Sequence, residues 1–132
     1  MKASELPAPL EAEEQMALFQ WAQASMGLYP ELYWLFHVPN GEKRDKITAA
    51  KLARMGVKSG VPDIFLLIPR DGYHGLVVEL KRKGGKASPE QMDWLDNQMR
   101  EGYCVAICEG WETAKDFILK YLRGTKEGVK GI

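Results

Sequence analysis

Residues 60–83 constrain this chain more than any other stretch. They run Gly60-Val61-Pro62-Asp63, then an apolar segment from Ile64 to Ile68, then a turn at Arg70-Asp71-Gly72-Tyr73-His74, then Leu76-Val77-Val78-Glu79-Leu80-Lys81. Short apolar runs bounded by turn residues read as strands. Ile64 to Ile68 is apolar at every position, which predicts a central strand covered on both faces. Alternate residues of a strand share a face, so Glu79 and Lys81 point one way and Leu80 the other. If the two strands pair, Asp63 comes near Glu79. Two carboxylates and an ammonium in an apolar sheet cost free energy unless something binds them. A divalent cation is the obvious ligand, with Asp63, Glu79 and the backbone carbonyl of Leu80 as oxygen donors. Lys81 is then placed to orient a water or to neutralise charge growing on a phosphate. The plainer alternative for Glu79-Leu80-Lys81 is an ion pair at a strand end.

The flanking segments supply helices around this pair. Pro9 suits the first turn of a helix over 10–27, with Met16, Phe19, Ala22 and Met26 as its buried stripe. Glu11, Glu13 and Glu14 favour the positive end of that helix. Tyr33 to Val38 reads as a strand closed by the turn Pro39-Asn40-Gly41. A helix follows over 45–56. Ser88-Pro89-Glu90-Gln91 is a capping box that opens a helix running to about 101. A strand over 103–108 and a helix over 111–122 complete the order α-β-α-β-β-α-β-α. That order predicts an α/β fold, a small mixed β-sheet flanked by helices on both faces. Residues 1–9 are expected to form an N-terminal arm, 10–123 one domain, and 124–132 a flexible tail.

At 132 residues the chain can bury one core without staples. No apolar run approaches the roughly 20 residues that span a bilayer, and the acidic N-terminus lacks a signal pattern. The expectation is a cytoplasmic protein with no membrane partner. Cys104 and Cys108 read as buried thiols, and two Cys with two scattered His cannot assemble a zinc site. Formal net charge is zero, but Lys43, Arg44, Lys46, Lys51, Arg54 and Lys58 cluster against only Glu42 and Asp45, and Lys81, Arg82, Lys83 and Lys86 follow one another without an acid. These are either phosphate-binding surfaces or solvated faces. Gly84-Gly85-Lys86-Ala87-Ser88 lacks the spacing of a P-loop, and there is no Gly-x-Ser-x-Gly elbow or dinucleotide fingerprint.

Gly60-Val61-Pro62-Asp63, Glu79-Leu80-Lys81 and Ser88-Pro89-Glu90-Gln91-Met92-Asp93-Trp94, in this order, resemble the PD-(D/E)xK nucleases and specifically the VRR-NUC family. His37-Val38-Pro39-Asn40-Gly41 and the Glu13-Glu14-Gln15 start of the first helix match it too, so the resemblance covers about residues 10–122. It implies a restriction-endonuclease-like core and a metal-dependent DNA endonuclease using Mg²⁺ or Mn²⁺. Standalone members, from bacteria and their phages, resemble Holliday-junction resolvases and are expected to act as homodimers on branched DNA. Asp63 and Glu79 would be metal ligands and Lys81 the catalytic lysine. An acid on the first helix would complete the site, with Glu14 the choice and Glu11 the alternative. Gln91 matches a family glutamine and would contact the attacking water, a phosphate or Lys81. Asn40 and His37 match the family's strand-end turn and would approach DNA, the plainer alternatives being a turn residue and, favoured for His37, a strand-edge side chain. Lys51, Arg82, Lys83 and Lys86 are further DNA-binding candidates. The competing reading is a non-catalytic DNA-binding or assembly module that keeps the fold.

Overall fold

The computed structural model describes residues 7–39 and 45–124, the side chains of 7–10 excepted. The expected tail after Gly124, the first residues of the expected arm, and Asn40 lie outside the described residues. Helix α1 spans Pro7–Ala24, so it begins two residues before Pro9. Its inward face is Leu18 and Ala22, with Phe19 and Met26 partly buried beside them. Met16, expected in the stripe, is 58% exposed.

The expected strand over 33–38 is mostly something else. Pro30–Trp34 forms a turn of 3-10 helix, and strand β1 is only Phe36–His37. Pro30 opens the turn, and Leu32 and Leu35 are both buried. A 3-10 helix stacks residues i and i+3, so it buries these two leucines and turns Tyr33 and Trp34 outward. Helix α2 spans Lys46–Arg54, capped by the Asp45 side chain on the Thr48 N–H.

Strands β2 (Ile64–Leu66), β3 (Leu76–Lys81) and β4 (Cys104–Glu109) complete a four-stranded sheet in the order β1-β2-β3-β4. The first two pairings are antiparallel and β3–β4 is parallel, which requires a crossover. Helix α3 (Pro89–Arg100) is that crossover, and α4 (Trp111–Arg123) closes the fold. Leu66, Val78, Leu80 and Ala106 pack under α1 and α4, while Val77 and Val105 pack under Leu95 of α3. The sheet is therefore mixed and covered on both faces. The strand buried at every position is β3, not the run from Ile64 to Ile68. That run leaves the sheet after Leu66, and Leu67 is 56% exposed.

Candidate active site

The site forms where β3 passes beneath the start of α3. Glu79 and Lys81 share the β3 face covered by α3 and are the only buried charged residues among those described, Glu79 with no exposed surface at all. Lys81 Nζ lies 3.1 Å from Glu79 Oε2. The Gln91 side-chain amide donates to the same oxygen at 2.8 Å. Glu79 Oε1 is buried without a hydrogen-bond partner. A buried carboxylate oxygen left unpartnered is costly, and this one is free to take a ligand.

Asp63 stands just before β2. Its Oδ2 accepts the Leu80 N–H at 3.0 Å. Continuing the register past Ile64–Val78 puts Pro62 opposite Leu80. Proline has no N–H, so the ladder offers no donor to the Leu80 carbonyl on that side. The backbone carbonyl of Asp63 meets His37 Nδ1 at 3.0 Å and the Val38 N–H at 2.7 Å. His37 thus braces Asp63 through its backbone.

The electrostatics follow from this crowding. Burial, then the neighbouring Asp63 carboxylate, push Glu79 up to about 8, with Lys81 pulling the other way. Burial also raises Asp63, against the opposing pull of the Leu80 N–H and Lys81. A proton kept on Glu79 beside the Asp63 carboxylate is one that a bound cation would displace.

The first helix contributes an acid, and the structure brings Glu11 rather than Glu14 to this cluster. Glu11 Oε1 lies 3.9 Å from Lys81 Nζ. Burial raises its pKa most, Lys81 lowers it, and Asp63 raises it again. Glu14, one turn along the same inward face, accepts the Trp111 N–H at 3.2 Å. It caps α4, whose N-cap residue Gly110 has no side chain for the task. Three residues apart, the two acids share one helical face in sequence, and the structure sets that face inward with Leu18 and Ala22; sequence alone could not say which end of the sheet each would meet.

Gln91 holds two positions at once. Its Oε1 accepts the Ser88 N–H at 2.7 Å while its Nε2 holds Glu79. The loop before Asp63 is clamped to the same helix. Gly60 has φ +82°, and an added Cβ would sit 2.7 Å from Glu90 Cβ. Trp94 Nε1 donates to the Ser59 carbonyl at 3.1 Å. In sequence Gly60 is legible only as loop punctuation before Asp63, although the Gly-x-Pro-Asp spacing carried the signal of its place at the site.

Of the basic candidates, Arg82 is half-buried beside the site, and Lys83 and Lys86 are exposed on the loop that follows. Lys51 is exposed on α2 and is not brought into the cluster. The Asp63–Glu79 pair fits a hard cation that keeps most of its waters. Among the described residues, no three Asp, Glu, His or Cys side chains form a ready-made cage.

The VRR-NUC domain family matches residues 11–112. The chain belongs to the VRR-NUC family. A solved structure of a VRR_NUC domain protein shares 30% of its sequence with this chain at a TM-score of 0.75, covering 87% of this chain and 89% of that one. No curated protein matches. VRR-NUC membership brings a nuclease-type fold, and the motifs that define the resemblance are the ones that meet at β3. No helix among the described residues is long and apolar enough to cross a membrane.

Proposed function

We propose that this VRR-NUC protein is a Mg²⁺- or Mn²⁺-dependent deoxyribonuclease that hydrolyses phosphodiester bonds in branched DNA as a homodimer. One observation carries the reading. Glu79 is fully buried with Oε1 unpartnered, between Asp63, Lys81 and Gln91. A module that only bound DNA would gain nothing from burying this acid.

Asp63, Glu79 and the Leu80 carbonyl would hold the cation, and Glu11 takes the place sequence analysis gave to Glu14. When bound, a hard cation supplies Lewis-acid polarisation of a phosphate oxygen and a lowered pKa for a nearby water. The chain's own residues do the remaining work. Gln91 fixes Glu79 through Oε2 and leaves Oε1 free. Lys81 sets its ammonium against charge developing on the phosphorus. Arg82, Lys83 and Lys86 meet flanking phosphates, which position the strand without reading its sequence.

A two-fold dimer would set two such sites against two strands, as a branched substrate requires. We place the second copy on the apolar groove of about 550 Å³ lined by Pro30, Glu31, Trp34, Phe36, Leu67 and Ile68. Phe36 lies on the open edge strand and stacks on Phe65. Glu31, the charged residue in that lining, is paired with Arg70 at 2.8 Å. An apolar face without a free cation suits a copy of the chain better than a polyanion.

The test is a panel of labelled DNAs (duplex, nicked duplex, flap, splayed arm and four-way junction) with Mg²⁺, Mn²⁺ or chelator. Paired symmetric cuts in the junction support the full reading. Cuts in plain duplex would remove the branched-DNA selectivity, and no cuts in any substrate would overturn the nuclease. In the same assay Glu11→Gln is expected to lose at least about tenfold in rate, and Glu14→Gln to lose much less.

A further inference from the structure

Helix α2 buries little against the described residues. None of its residues is buried. Ile47 is 84% exposed, and Met55, at its C-terminal end, 70%. Only Leu52 is half-buried. The helix has nine residues, and isolated helices shorter than roughly 12–15 residues are marginal in water. A surface outside the chain would complete it.

The residues say what kind of surface. From Asp45 to Lys58 the chain carries Lys46, Lys51, Arg54 and Lys58 against one acid, Asp45, which is engaged as the cap on the Thr48 N–H. Ile47, Lys51 and Arg54 recur at i, i+4 and i+7, so they form one stripe, on the side away from Leu52. Four cations against one capping acid suit a polyanion. They oppose pairing with a second α2, which would bring like charges together. The helix is also rooted at the site. The chain leaves the sheet at Val38, whose N–H bonds the Asp63 carbonyl at 2.7 Å, and returns to the sheet at Asp63 itself.

We infer that α2 docks in the major groove of the duplex flanking the scissile phosphate. Lys46, Lys51, Arg54 and Lys58 meet the phosphates, and Ile47 and Met55 meet the apolar surface of the groove floor. The major groove is wide enough for an α-helix and presents thymine methyl groups there. Duplex geometry near the cut, rather than base sequence at it, would then decide which sites are reached. The inference rests on the nuclease reading above for its placement beside the cut.

Hydrogen exchange of the α2 amides tests it, in Lys81→Ala protein so that the DNA survives. Exchange is measured free, with duplex, and with a single strand of equal length. The expected result is fast exchange in the free protein, slowed by roughly tenfold or more on duplex and little changed by the single strand. Ile47→Asp should remove the slowing and weaken duplex binding while β3 amides stay protected. Unchanged exchange on duplex, or equal slowing by the single strand, would overturn the inference. So would slow exchange in the free protein that grows with protein concentration, which would assign α2 to a second copy. Wild-type cleavage is scored in parallel. Cleavage without α2 protection removes this inference alone, and protection without cleavage removes the nuclease and leaves a duplex-binding helix.

Discussion

Glu79 concentrates the tension in this molecule. It sits in a strand buried at every position, with one oxygen held by Gln91 and Lys81 and the other unpartnered. Its carboxyl is raised from 4.5 to about 8 by burial and by Asp63. In the unfolded chain it loses its proton near 4.5, whereas in the folded metal-free protein it keeps it to about 8. The stability this group contributes is therefore whole below the lower value and lost as pH rises to the upper one. Thermal melts in chelator should show a midpoint that falls between about pH 5 and pH 8 by several degrees. Glu79→Gln, uncharged throughout, should flatten that fall, and Mg²⁺ should oppose it in the wild type. A midpoint that rose with pH in chelator would contradict this account of the pair.

The elements show what could be read from the chain alone and what could not. Helices α3 and α4 lie close to their expected spans, because Ser88-Pro89-Glu90-Gln91 marks the start of α3 and Gly102 and Gly124 follow the two helix ends. Strand β3 was legible through its bounds, but its full burial was not, since Glu79 and Lys81 argue for exposure until α3 is seen to cover them. Tyr33 to Val38 has strand composition yet begins as a 3-10 turn, because burying Leu32 and Leu35 together outweighs β-propensity. Glu11 and Glu14 shared one helical face in sequence, and only the packing of α1 on β3 and α4 separates their tasks. The capping box at Ser88 was legible, as was the possibility that Gln91 serves both the cap and the site. Gly60 links these elements. Gly60→Ala would meet both a left-handed backbone and the Glu90 main chain. It is expected to cost about 1–3 kcal/mol in stability, and to slow cleavage further by displacing the turn that carries Gln91. Urea melts with parallel rate measurements check both.

On the scale of the whole molecule, three surfaces surround one buried cluster. The cationic loop after Lys81 and the exposed helix α2 lie on chain segments that start or end at site residues. The apolar groove beside β1 carries Trp34 and Phe36, 63% and 43% exposed. If that groove is the dimer contact, Trp34→Asp should convert a dimer to a monomer in sedimentation equilibrium with the fold intact by circular dichroism. An unchanged dimer would move the contact elsewhere. The monomer would be expected to keep nicking activity while losing paired cuts, because each site is built from one chain.

The most direct test of the central claim is cleavage of labelled DNA by the wild type, Asp63→Asn and Lys81→Ala, with Mg²⁺ and with chelator, alongside DNA binding by each. The account expects cleavage by the wild type only with the cation, a loss of at least about a thousandfold in either variant, and binding retained by both folded variants. Full cleavage by either variant, or cleavage undiminished in chelator, would contradict it.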